Sequence, residues 1–292
     1  MAFCLEPGET LRQANRRIGL ELFTTIELDL TPQAGPPDVH DARRCTKMLR
    51  ALLQFIRGGL GPEICARETR RTRDFARSLG NVRDAEVRVE TFRSLLGDLP
   101  PSQKRRLTQT EAQLAALAKA ARAQSLAPAS LRRALAVVRR AAKRWALLDI
   151  CGADDDLFET SLERSYRRAR QDFETAKLAP GMEAFHDWRK AVKTLGYHAR
   201  LVQPIRPRKM KALDRNLDAL GDHLGDDHDL AVLRDFLSAH HPAASKALRP
   251  RIARRRAALI EEATKLSEEL FEEKPAHFAK RLLAWWCEWQ RQ

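Results

Sequence analysis

The chain runs to 292 residues, of which 32% are charged and only 6% aromatic, with a formal net charge of +14. That length can bury a full-sized core as one large domain or two smaller ones, and the basic surplus predicts salt-sensitive attraction to polyanions while saying nothing of fold. Five scattered cysteines without a C-x-x-C pair argue against a disulfide framework or a zinc site; no apolar run nears the roughly 18 residues of a membrane span, no basic-then-apolar leader opens the chain, and a cytoplasmic protein is expected.

The surplus is uneven. Residues 1–150 hold 27 Lys and Arg against 16 Asp and Glu, a net of +11, whereas the remainder holds 26 against 23, a net of +3. Breaker clusters at 31–37, 97–101, 127–130, 151–154, 179–181, 204–207 and His241-Pro242 divide the chain. Between them apolar residues recur at i, i+3, i+4 and i+7 in segments rich in Ala, Leu, Arg and Glu, which predicts an all-α protein of about ten to twelve helices. The one alternating stretch, Thr24–Leu30, reads as a strand or equally as the end of the first helix.

The first cluster is followed by Val39-His40-Asp41-Ala42-Arg43-Arg44-Cys45-Thr46-Lys47, and the pattern returns as Phe185-His186-Asp187-Trp188-Arg189-Lys190-Ala191-Val192-Lys193. At about 100° per residue, Arg43, Arg44, Lys47 and Arg50 fall within roughly 120° of His40, with Cys45, Leu49, Leu52, Leu53 and Ile56 opposite. In the second copy His186, Arg189, Lys190 and Lys193 make the stripe, and Trp188, Ala191, Leu195, Ala199 and Val202 the apolar back. Each helix can dock one face in a bundle and present cations on the other. Arg grips two phosphate oxygens with its planar fork, and Lys adds a mobile point charge. A His in such a stripe can donate to phosphate, with its pKa lowered by the surrounding cations. Most basic helix faces are merely solvated; two copies in one register favour function.

Arg70, Arg73 and Arg77 form a further stripe at i, i+3, i+7, whose second-copy counterparts Arg215, Asp218 and Asp222 cancel it. The segment Leu79-Gly80-Asn81-Val82-Arg83-Asp84 matches Leu224-Gly225-Asp226-Asp227-His228-Asp229, and both read as a helix stop and restart: glycine supplies the left-handed end, and Asn81 or Asp226 the next cap. Asp84 and Asp229 then suit a first turn, orienting a nearby Arg or His. Pro128-Ala-Ser-Leu131 matches Pro275-Ala-His-Phe278. Order and spacing hold across all three pairs, so the expected architecture is an internally duplicated helical bundle, two halves related by a rough two-fold.

These motifs resemble the CHAD family, the conserved histidine α-helical domain, whose halves each carry a His-x-x-Arg-x-x-x-[Arg/Lys]-x-x-Arg helix and a later Leu-Gly-x-x-Arg-Asp turn. His40, Arg43, Lys47 and Arg50 fill the first pattern, with Arg83-Asp84 as its turn; His186, Arg189 and Lys193 fill the second, with Gly196 at its last basic position and His228-Asp229 for Arg-Asp. Tyr166-Arg167-Arg168-Ala169-Arg170 resembles a further family element, adding Arg167 and Arg170 to the candidate site. The resemblance covers residues 8–285, as one domain with halves 8–150 and 151–285. It implies two helical bundles facing a basic central surface or pore, binding of inorganic polyphosphate, and association with polyphosphate granules. The triphosphate-tunnel domain often fused to such chains is not expected here, since Glu27-Leu-Asp29 hardly resembles its Glu-x-Glu-x-Lys strand. Gly196, His228 and the charge asymmetry together predict that the first half dominates the affinity.

Two other functions compete. Nucleic acid offers the same phosphates, as a primary ligand or a weak secondary one, but no helix-turn-helix, zinc finger or stacking motif is present, and Trp285, Trp286 and Trp289 have the spacing of packing residues. A metal-dependent phosphohydrolase would start from His223, Asp226, Asp227, His228 and Asp229, yet the two histidines are five residues apart and not on one helix face. No G-x-S-x-G element or cysteine motif supports covalent catalysis. The expectation is a non-catalytic module with no cofactor and no metal.

Overall fold

The computed structural model describes residues 3–31, 37–79, 82–97 and 99–291, the side chain of Ser78 apart. These residues form twelve α-helices: α1 (Leu11–Leu30), α2 (Val39–Phe55), α3 (Arg57–Leu60), α4 (Pro62–Ser78), α5 (Val82–Leu96), α6 (Pro101–Ser125), α7 (Pro128–Trp145), α8 (Asp154–Leu178), α9 (Met182–Leu201), α10 (Pro207–His240), α11 (Pro242–Leu270) and α12 (Pro275–Trp289). Among the described residues there is no strand, and Thr24–Leu30 is the end of α1. No helix is long and apolar enough to cross a membrane.

The punctuation follows from local chemistry. Proline begins α4, α6, α7, α10, α11 and α12, where its missing N–H is no loss and its fixed φ suits the first turn. Thr10 and Gln13 close a capping box on α1, and the Asp38 carboxylate accepts from Asp41 N to cap α2. Three breaks lie outside the clusters legible in the sequence: Ile56 between α2 and α3, Gly61 before α4, at φ +71, and the turn between Leu270 and Pro275.

One motif behaves differently from its reading. Leu224-Gly225-Asp226 is no helix stop, because α10 runs unbroken for 34 residues, about 51 Å at 1.5 Å per residue. Gly225 is helical; positive φ is confined to Gly8, Gly61 and Gly152 among the described residues. Its use is proximity. A Cβ at Gly225 would meet the Arg189 guanidinium at 3.6 Å, and one at Gly221, a turn earlier, would lie 2.6 Å from Lys193 Cε. The two glycines cut a groove in α10 in which the cations of α9 lie. Gly80 and Asn81 of the first-half turn fall outside the described residues.

Two hydrophobic cores hold these helices. The larger draws on α1, α2, α4, α7, α8, α9 and α12, with the early part of α10 and the late part of α11. The smaller joins Val89, Phe92 and Leu95 of α5 and Leu107 and Leu114 of α6 to Leu230, Leu233 and Leu237 of α10 and Ala244, Leu248 and Ile252 of α11. Both mix residues from before and after position 150, so the boundary expected between halves is not a boundary of the core. Helix α10 passes from one core to the other between Leu224 and Leu230, and Asp226–Asp229 stand at that seam.

Candidate anion-binding surface

Helix α2 explains the surface it presents. Val39, Ala42, Cys45, Leu49, Leu52 and Leu53 are buried, as the heptad-like spacing requires, which leaves His40, Arg43, Lys47 and Arg50 on the other side. Helix α9 does the same with Trp188, Ala191, Val192, Leu195 and Ala199. The two helices are tied at a buried point: His198 Nε2 lies 3.0 Å from the Ala51 carbonyl, with the ring edge-on to Phe55. Burial holds this imidazole neutral, its pKa pushed down to about 4. Nε2 is therefore the donor.

That packing brings the two stripes together. Lys47 is exposed by area yet crowded by neighbouring groups. Burial, then Arg189, Arg43, Lys193 and Arg83, hold its pKa below the ordinary lysine value. Cations from α2, α5 and α9 thus converge on one point. Arg43 lies 3.5 Å from Asp84, and Arg83 pairs with Glu90 at 3.1 Å. The Arg189 Nε is buried without a hydrogen-bond partner. Behind it His186 stacks on His228, ring centroids 4.9 Å apart. Burial and neighbouring cations hold both imidazoles below their ordinary pKa, with Lys190 foremost for His186 and Arg189 for His228. Asp229 faces the same group: burial raises its carboxyl, and Arg189 opposes that shift. His40 stands at the rim, in a hollow of about 320 Å³ shared with Arg83 and Arg122.

The surface continues along α2. Arg50 lies next to Arg73, and burial plus that neighbour hold its guanidinium below the ordinary arginine value; its Nε has no partner. Beyond it opens a cleft of about 630 Å³ between α4, α8 and α9, lined by Arg57, Arg70, Arg73, Arg164, Arg168 and Lys190 over a floor that includes Cys65 and His198. Burial and the charges of Arg57 and Arg167 likewise depress Arg164. From Arg43 to Gln54, which lines the cleft, is eleven residues of helix, about 16 Å. Among the described residues Lys47, Arg50, Arg57, Arg70 and Arg164 have no carboxylate partner. Like charges held together in this way cost free energy that only an anion returns.

Several expected residues stand elsewhere. Arg44 turns from the stripe to pair with Asp41 at 2.7 Å beside the end of α1. Arg77 lies 3.6 Å from Asp74. Arg167 pairs with Glu163, and Arg170 donates to the Glu273 carbonyl at 3.1 Å; both border an adjoining hollow and do not reach Lys47. Lys190 pairs with Asp187 at 2.9 Å, and Lys193 lies 3.0 Å from Asp222 and 4.0 Å from Asp218. Arg57, Arg164 and Arg168 were missed. Arg57 was findable, for Arg43, Arg50 and Arg57 keep a strict seven-residue spacing. Arg168 lies within the Tyr166–Arg170 element, from which only its neighbours Arg167 and Arg170 enter the candidate site, and Arg164 carries no distinguishing pattern in a helix full of arginines.

The His/Asp cluster does not gather around a metal. Asp227, 2% exposed, is turned to Arg256 through bonds of 2.7 and 3.2 Å, while His228 turns to His186. The tryptophans are packing residues: Trp286 stacks on Phe158 and is buried, as is Trp289, and Arg281 covers Trp285.

The fold is an all-α scaffold on which cations of α2, α5 and α9 gather around Lys47. The chain belongs to the CHAD domain family, whose model matches residues 28–238. Its fold is similar to the crystal structure of the CHAD domain from the plant Ricinus communis, with a TM-score of 0.62 at 19% identity over 97% of this chain and 95% of that one. No curated protein matches the sequence.

Proposed function

We propose that this chain is a non-catalytic module that binds inorganic polyphosphate along the surface running from Arg83 and Lys47 to Arg57 and Arg164. One observation carries the reading: five cations without carboxylate partners line a surface that offers no aromatic platform. Polyphosphate is a linear anion with about one charge per unit and nothing to stack, so such a surface suits it better than it suits single-stranded nucleic acid. The association of CHAD domains with polyphosphate points the same way. Arginine forks grip paired oxygens, Lys47 supplies a point charge where the walls meet, and neutral His228 and His186 donate single hydrogen bonds. Among the described residues the acids Asp84, Asp222 and Asp227 tether Arg43, Lys193 and Arg256. On this reading residues 8–285 act as one cytoplasmic unit that can coat polyphosphate granules, its two halves sharing a central basic surface.

The test is a titration with long-chain polyphosphate at several salt concentrations, with tRNA, duplex DNA and orthophosphate as competitors and free phosphate monitored. If the five unpaired cations all engage, log K should fall against log salt with a slope of about −3 to −4. Poor competition by nucleic acid and no phosphate release are expected. Equal competition by tRNA would reduce the protein to a general polyanion binder, and steady phosphate release would make it an enzyme.

A further inference from the structure

Away from the cationic surface, on the apolar side of α2, three ligating groups meet where α1 ends and α2 begins. Asp41 and Cys45 are one helical turn apart, the i, i+4 spacing that puts two donors on one face. Asp29, the penultimate residue of α1, is folded against them, and its carbonyl accepts from Asp38 N at 2.8 Å. One donor atom from each of the three lies within 4.8 Å of the others.

Two observations mark this as more than a cluster of acids. Cys45 is 1% exposed and in no disulfide. Asp29 Oδ2 is buried and unpartnered. Buried polar atoms in folded proteins nearly all find partners, and a bound ion is one of the few explanations for an exception. The charge balance agrees. Asp29, Asp41 and Asp38 stand together with one neighbouring cation, Arg44, which is bound to Asp41 Oδ1. In a protein of net charge +14 this is a local surplus of acid. Burial, with Asp41 and Asp38 beside it, pushes the Asp29 carboxyl up to about 6, and burial next to the same acids pushes the Cys45 thiol up to about 12.

We propose that Asp29, Asp41 and Cys45 form a binding site for one zinc-class divalent cation that fastens α1 to α2. One sulfur and two carboxylate oxygens, with a fourth position for water, are a ligand set for tetrahedral zinc. Magnesium and calcium, which take oxygen ligands only, are excluded by the thiolate. Binding displaces the Cys45 proton to solvent, and the metal then holds the sulfur as thiolate. The sequence conceals this site because Asp29 precedes the motif helix by a loop, and only its return brings the carboxylate back to Cys45. The site is independent of the polyphosphate reading, since none of its three ligands lines the cationic surface.

The test is equilibrium dialysis of the full chain against zinc, with metal counted per protein, together with the visible and near-ultraviolet absorption of the cobalt-substituted protein. One equivalent and a sulfur-to-cobalt charge-transfer band are expected. Cys45→Ala should abolish the band, and Asp29→Asn should weaken zinc binding at least tenfold. The isosteric Asp29→Asn relieves repulsion, so without metal it should melt at or above the wild-type temperature, while losing the rise in Tm that zinc gives the wild type. A Cys151→Ser/Cys287→Ser chain should bind as the wild type does. Absence of a stoichiometric ion, binding that survives both site variants, loss of binding in the exposed-cysteine variant, or equal stabilisation by calcium would each overturn the assignment.

Discussion

Helices α2 and α9 carry the same motif and differ in what surrounds it. On α9 two of the three motif cations are answered by acids: Lys190 by Asp187, and Lys193 by Asp222 and Asp218. On α2, Lys47 and Arg50 have no carboxylate partner among the described residues, while Arg43 faces Asp84 and Arg44 faces Asp41. A repeated motif is therefore not a repeated site. What matters to a polyanion is the charge left after local pairing, and the neighbouring helix sets that. Exposed ion pairs are worth only about 0–1 kcal/mol, so pairing attenuates the α9 stripe without removing it.

The largest expected difference follows directly. Arg43→Glu with Lys47→Glu removes two charge-assisted contacts of about 2 kcal/mol each and should weaken polyphosphate binding about 1,000-fold. The matching pair, Arg189→Glu with Lys193→Glu, should lose at least an order of magnitude less; equal losses in the titration would break the distinction between the helices. Next comes the contact that sets the two stripes in register. His198 is neutral in the folded protein, its pKa lowered from 6.5 to about 4, so as pH falls below 6.5 the unfolded chain takes up this proton first. Stability should then fall with pH between 6.5 and 4, by up to about 3 kcal/mol. Thermal melts across that range should show the loss, and His198→Gln should flatten it; parallel curves would mean that the α2–α9 bond is not what acid breaks.

Smaller effects refine the picture. Arg57→Ala or Arg164→Ala should each cost about 1.5 kcal/mol of binding, roughly tenfold, and lower the salt slope by about 0.7. An unchanged slope would confine the ligand to the Lys47 end. Asp222→Asn releases Lys193 from its pair and should strengthen binding by a factor of about 2 to 5, bringing α9 closer to α2. No change there would mean that the pair never restrained the lysine.

Helices were legible because Ala, Leu, Arg and Glu recur at helical spacing and proline stands at the start of half of them. So was the stripe on α2, whose cations fall where the wheel puts them. The difference at Gly225 and the positions of Arg44 and Arg77 have physical causes. Gly225 looks like a helix end because glycine usually is one, but the sequence does not display the long cation of another helix that needs the space. Arg44 and Arg77 lie on the right arc, yet an acid within one turn diverts each of them. Arg164 escaped notice because its role depends on α8 lying opposite α4, a relation between segments about ninety residues apart that no local pattern encodes.

Helix α10 also has a mechanical meaning. It is a splint running through both cores, and its two glycines place the weakest stretch, each costing about 1 kcal/mol of helix stability against alanine, beside the seam between them. Arg83 rides on the smaller core and Lys47 on the larger. On the proposed reading, an anion stretched from one to the other would brace the splint where it bends most readily, and filling the surface would then stiffen the molecule in the same event.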